Sequence, residues 1–164
     1  MAITAVQDWD NDGFLAIKGE GTLKRYLELT EQKSNVPLDK FGVFVAFNKK
    51  QFDEGYAGIV KSGQVKDGEK IYHLFGGCYG TRDGYTRLCA YYDGIDEIIK
   101  SECDPQEVYF YEYNNYECCI ASDGDHDAMK ELIMTFGKDA VLKVKRFRPM
   151  YSVAEIADEL EGRK

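Results

Sequence analysis

The segment Gly76-Gly77-Cys78-Tyr79-Gly80-Thr81-Arg82 holds the residue types best suited to gripping a ligand. Its three glycines lie between a strand-like run and a helix-like run, so backbone N–H groups there can face a phosphate. Arg82 can add a two-pronged contact to the same anion. The segment lacks a G-K-[ST] ending, and it lacks G-x-G-x-x-G with a ribose carboxylate downstream, so neither common nucleotide loop is present. A tight turn in which glycine permits close packing explains the same residues. Nucleotide or phosphate binding by this loop is therefore the secondary expectation. Cys78 and His73 suggest a nucleophile and a base. Residues five apart on one strand point to opposite faces, however, and no third group orients the pair.

Asp123-Gly124-Asp125-His126-Asp127 offers oxygen ligands for a hard cation. The calcium-loop pattern also needs Gly at its sixth position and Glu at its twelfth. Ala128 and Met134 stand there instead. Acids at a helix start, complementing its dipole, account for the cluster. Cys118 and Cys119 with a histidine fit no common zinc spacing. The five cysteines, two of them adjacent, form no tidy disulfide framework and read as reduced, mostly buried thiols. The expectation is no metal, no cofactor, no catalytic residue and no enzymatic activity.

A third segment has surface chemistry. Tyr109, Tyr111, Tyr113 and Tyr116 interleave with Glu107, Glu112 and Glu117. Aromatic strands serve as stacking platforms for RNA, but those platforms need basic surroundings. Acid and tyrosine together suit a basic groove on a protein partner. The expected partner-binding set is these residues with Asp93, Asp96 and Glu97. A core whose tyrosine hydroxyls reach its edge is the competing explanation.

Charge supports the same choice. The net charge of the 164 residues is −8. Twelve acids between Asp93 and Glu131 face only Lys100 and Lys130, so that stretch carries −10 and the remainder +2. A basic knot of Lys138, Lys143, Lys145, Arg146 and Arg148 follows. An acidic surface repels nucleic acid and anionic membrane and attracts basic partners. Apolar runs such as Val43 to Phe47 are far too short to span a bilayer. The acidic start MAITAVQDWDNDG does not look like a signal peptide, so a cytoplasmic protein is expected. Nothing in the sequence bears on oligomeric state.

These groups need elements to hold them. Phe14 to Lys18 reads as a short strand and Thr22 to Gln32 as a helix. Phe41 to Phe47 is a compact apolar run and reads as a buried strand. Asn48 with Gln51 three residues on forms a capping-box signature, and Phe47 and Phe52 occupy staple positions. The helix they start ends near Ser62-Gly63. Lys70 to Phe75 reads as a strand, and Asp83 to Ser101 as a long helix burying Leu88, Tyr92, Ile95 and Ile99. Glu107 to Tyr113 alternates like a strand. Asn114-Asn115 can turn the chain back through Tyr116 to Ala121, completing an antiparallel, Tyr-rich hairpin. A helix from Asp123 or Asp125 to Phe136 buries Met129, Leu132, Ile133 and Phe136, and Gly137 ends it. Asp139 to Phe147 is ambiguous between helix and strand. Val153 to Leu160 forms a last amphipathic helix. The expectation is α+β: a single domain over residues 1–150, a mixed sheet containing the hairpin, and a loosely attached C-terminal helical segment over 151–164.

Three stretches carry a resemblance. Val45 to Gly55, Lys70 to Arg82 and Asp104 to Glu117 resemble an uncharacterised family of short proteins from gut anaerobes, their phages and conjugative elements. The likeness spans roughly residues 40–147 by pattern. Tyr116 stands where relatives often carry His. The family has no established activity, so the resemblance implies a setting: small acidic proteins of mobile elements that inhibit host defence nucleases, of the anti-CRISPR or antirestriction type.

Overall fold

The computed structural model describes residues 21–115 and 123–162, which divide into two compact units. Gln32–Ile95 form one unit; the segment ending at Glu31 and the segment beginning at Asp96 form the other.

The Gln32–Ile95 unit is built on a small sheet. A 3-10 turn, Leu38–Phe41, leads into strand β1, Val43–Val45. Helix α2, Lys49–Lys61, follows, then strands β2, Tyr72–Phe75, and β3, Cys78–Gly80. The strand order is β1-β3-β2, antiparallel throughout. One face of the sheet packs on α2. There Phe44, Ala46, Ile59 and Val65 are buried together, with Phe52, Tyr56, Ile71 and Tyr79 against them. Phe52 meets Phe44 and Tyr79 edge-on at 5.3 and 5.2 Å.

The sequence signature at Asn48 is realised. Its Oδ1 accepts from Gln51 N at 2.9 Å, and Gln51 Oε1 reaches back to accept from Phe47 N at 2.8 Å. Asn48→Ala is expected to cost about 1 kcal/mol, because an orphan N–H of the first turn loses its partner. The check is a lower urea midpoint at unchanged slope. The staple is not formed: Phe47 turns outward and is 79% exposed, while Phe52 joins the core. Gly63, at φ +76°, closes the helix end as expected.

Helix α3, Arg82–Glu102, is the long helix the periodicity anticipates, and it runs on through Gly94. Leu88, Ile95 and Ile99 are buried, and Tyr92 is half-buried.

The other unit is helical. It contains α1, Thr22–Ser34, to Glu31; α3 from Asp96; α4, Pro105–Asn115; α5, Asp123–Phe136; and α6, Val153–Gly162. α5 packs against both α4 and α6. Met129, Leu132 and Phe136 are buried on α5, Tyr26 and Leu29 on α1, and Ile156 and Ala157 on α6. Gly137 takes φ +84° after α5. Between Asp139 and Phe147 the chain makes turns rather than a helix or strand.

The α+β class stands, with two corrections. The sheet is antiparallel, not mixed, and β3 lies where a loop was expected. The tyrosine segment is a helix, not the first strand of a hairpin. Asp104 starts it, accepting from Gln106 N through its side chain at 2.8 Å, and Pro105 occupies the first helical position. Proline fits there because its missing N–H would be unpaired anyway. The expected return strand and the expected strand at Phe14 to Lys18 lie outside the described residues.

Candidate functional site

Across the three strands, Val45, Cys78 and Phe75 stand opposite one another, so they share a sheet face. One pair further along that face, Val43 and Gly80 are buried. At the Val45 end the face is open: Val45 is 45% exposed and Phe75 49%. Tyr85, in the first turns of α3, lies 6.0 Å from Phe75 ring to ring and is 39% exposed. Phe47 lies over Gly77, where an added Cβ would come within 2.5 Å of its ring. Four large apolar side chains therefore meet water at one end of one unit. Cys78 sits in this row half-buried, and burial pushes its thiol upward, away from the reactive thiolate. His73 pairs with Tyr79 on the opposite face, its ring 5.1 Å from the tyrosine ring. His73 and Cys78 occupy adjacent antiparallel strands rather than one strand, but point apart as anticipated.

The Gly76–Arg82 segment is assembled differently from a phosphate cradle. Gly76, at φ +49°, and Gly77 turn the β2–β3 hairpin; Cys78, Tyr79 and Gly80 form its central strand, paired on both sides. Their backbone groups serve the ladder and are not free to face an anion. An added Cβ on Gly80 would meet the Gly42 carbonyl oxygen at 2.7 Å, so close strand approach explains that glycine. Thr81 Oγ1 is spent capping α3, accepting from Gly84 N at 3.0 Å. Of the expected ligand set Gly76, Gly77, Cys78, Tyr79, Gly80, Thr81 and Arg82, Arg82 is an exposed cation. Its guanidinium lies 4.7 Å from the Tyr72 ring centroid, and Lys70 Nζ lies 4.9 Å from the same ring.

The expected acid-and-tyrosine surface is largely turned inward. Tyr109, Glu107 and Glu112 are buried, and Tyr111 and Tyr113 half-buried. Tyr26 donates its hydroxyl to Glu112 Oε1 at 2.6 Å. Tyr109 donates to Asp125 Oδ1 at 2.7 Å and accepts from Phe147 N at 2.7 Å. Burial raises both phenols above their ordinary range. Burial also raises the Glu107 carboxyl, with the nearby Asp104 charge adding to the shift. Tyr109, Glu107 and Glu112 are engaged inside the core, while Tyr111 and Tyr113 keep part of their surface exposed. Tyr116 and Glu117 lie outside the described residues. On α3, Asp93 and Glu97 are exposed and Asp96 is half-buried; Glu97 is engaged by Lys100 at 2.6 Å.

In the Asp123–Asp127 cluster, Asp125 and His126 are committed to partners within the protein. Asp125 is 2% exposed and takes both prongs of Arg146, at 3.1 and 2.6 Å. His126 pairs with Glu159 on α6 at 2.8 Å, and Lys130 meets the same carboxylate at 3.0 Å. Among the described residues no group of three His, Cys, Asp or Glu is placed to hold a metal.

Sequence reasoning missed Val45, Phe47, Phe75, Tyr85 and Lys70 as surface chemistry. Alternation within the hairpin was the one usable signal, and the irregularity between His73 and Phe75 breaks it. Residues 26–155 match a family of unknown function (DUF7659), and the chain belongs to that family. No curated protein and no solved structure matches the chain. Among the described residues, no helix is long and apolar enough to cross a membrane.

Proposed function

We propose that this protein works by binding another protein and not by catalysis. The open apolar end of the sheet, where Val45 and Phe75 share a face with Tyr85 against Phe75 and where exposed Phe47 lies over the hairpin turn, carries the reading. Large apolar side chains grouped on a surface cost solubility and mark interaction sites, and aromatic anchors concentrate binding energy. Asp93, in the same unit, supplies an exposed acid. The net charge of −8 favours a partner with a basic groove, since long-range attraction speeds encounter and selects against acidic partners. A cytoplasmic, nucleic-acid-processing enzyme fits this chemistry. The resemblance to proteins of phages and conjugative elements narrows it to a host defence nuclease, a CRISPR effector or a restriction enzyme.

The test uses purified nucleases of both kinds in DNA-cleavage assays with added protein. Inhibition of at least one is expected at about 0.05 M salt, weakening at about 0.5 M, where screening shortens the reach of surface charge to a few ångströms. Undiminished cleavage by every nuclease at low salt contradicts the choice of partner.

A further inference from the structure

Lys70 and Arg82 both lie against one tyrosine ring in a chain that is otherwise rich in acid. Tyr72 stands opposite Gly80 in the β2–β3 ladder. Arg82, two residues beyond Gly80, comes back against the same ring. The guanidinium comes to 4.7 Å of the ring centroid and the Lys70 ammonium to 4.9 Å. Each cation gains from the ring's negative face. Two like charges gathered on one ring nevertheless repel each other. The acids next to them in sequence bond elsewhere. Glu69 Oε2 accepts from Lys66 N at 3.0 Å, and Asp83 Oδ2 is taken by Arg87 Nε at 3.1 Å. Elsewhere cations find carboxylates: Lys49 meets Asp53 at 2.7 Å, Lys100 meets Glu97 at 2.6 Å and Lys130 meets Glu159 at 3.0 Å. At Tyr72 a fork of donors and an ammonium are held against one ring, and among the described residues no carboxylate forms an ion pair with either.

We propose that Lys70 and Arg82, held on Tyr72, form a binding site for a phosphate dianion, either free phosphate or the phosphomonoester end of a larger molecule. A doubly charged tetrahedral anion offers oxygen acceptors to the fork and the ammonium together, and it removes their mutual repulsion. The ring is occupied by the cations, so it positions them and does not stack a base. The site is made of side chains, unlike a glycine-loop cradle, and its ring stands on the Gly80 side of the sheet face whose other end carries Val45 and Phe75.

The test is a melting-temperature titration with inorganic phosphate, adenosine monophosphate and a phosphoserine peptide, against chloride at matched ionic strength. The phosphate-bearing probes are expected to raise the melt by several degrees and chloride to leave it unchanged. Equal responses to all three identify the phosphate group alone as the ligand; a stronger response to one identifies its source. The Lys70→Gln/Arg82→Gln variant, which keeps the side-chain stems, should lose the rise. Amide chemical shifts of Tyr72 and Arg82 should move with phosphate in the unmodified protein, a readout independent of the variant's folding. No shift in the unmodified protein, the same rise with chloride, or a rise retained by the double variant overturns the site.

Discussion

Asp125→Ala is expected to destabilise the protein by about 3–5 kcal/mol, the cost of stranding a buried charge. Asp125 is 2% exposed, and Arg146 closes on both of its oxygens. Without the carboxylate, the guanidinium, whose side chain is 11% exposed, is left largely buried without its ion-pair partner. The Tyr109 hydroxyl loses its acceptor at the same time, and with it a fixed partner for Phe147 N. The loss therefore spreads from α5 to α4 and to the turns after Val141. At about 2–4 °C per kcal/mol for a chain of this size, the melt should fall by roughly 10 °C. Asp125→Leu with Arg146→Met removes both charges and should recover most of the loss, since an apolar pair of similar volume can match a buried ion pair. A double-mutant cycle separates that coupling from simple cavity costs.

Gly84→Ala is the second large effect. An added Cβ there would overlap the Phe41 carbonyl oxygen, a backbone atom that cannot rotate away. That carbonyl precedes Gly42, which is fixed at φ +68° with its N–H bonded to Asp39 O at 3.0 Å. The first turn of α3 is pinned from its own side by the Thr81 cap on Gly84 N. Overpacking of this kind costs about 1–3 kcal/mol, and the rigid partner places Gly84→Ala at the upper end. Gly94→Ala, on the same helix, meets nothing within 4 Å. It should stabilise by about 0.5–1 kcal/mol through helix propensity. One substitution, opposite signs at two positions of one helix, is read by chemical denaturation of both variants.

The sequence was most legible where a local signal acts alone. Asn48 and Gln51 announce α2 because a cap is a contact between near neighbours. The period of Leu88, Ile95 and Ile99 announces α3 because a helix buried on one side must repeat at its own pitch. The α4 segment misleads for the converse reason. Glu107, Val108, Tyr109, Phe110 and Glu112 are all buried, so the helix is enclosed on most of its circumference and shows no one-sided stripe. Alternating tyrosines then imitate a strand. Asp104-Pro105 was the contrary sign, a cap followed by proline at the first helical position. Inward acids such as Glu112 and Asp125 were also illegible, because their partners, Tyr26 and Arg146, lie far away in sequence. The open sheet end was hidden differently. Val45, Phe47 and Phe75 carry residue types that belong inside, and only the fold leaves them outside. Arg82 was legible as a cation near glycines. Lys70, its companion on Tyr72, was not, because the hairpin brings them together.

The central claim is that the open apolar end of the sheet is the working surface. It is tested most directly by Phe47→Ser/Phe75→Ser, titrated calorimetrically into a nuclease that the unmodified protein inhibits. Both rings are exposed, so folding, checked by circular dichroism and the melt, should be unchanged within about 0.5 kcal/mol. The account predicts a loss of affinity of about thirtyfold or more, as expected when central aromatic anchors are removed. A folded double variant that binds and inhibits as well as the unmodified protein contradicts it.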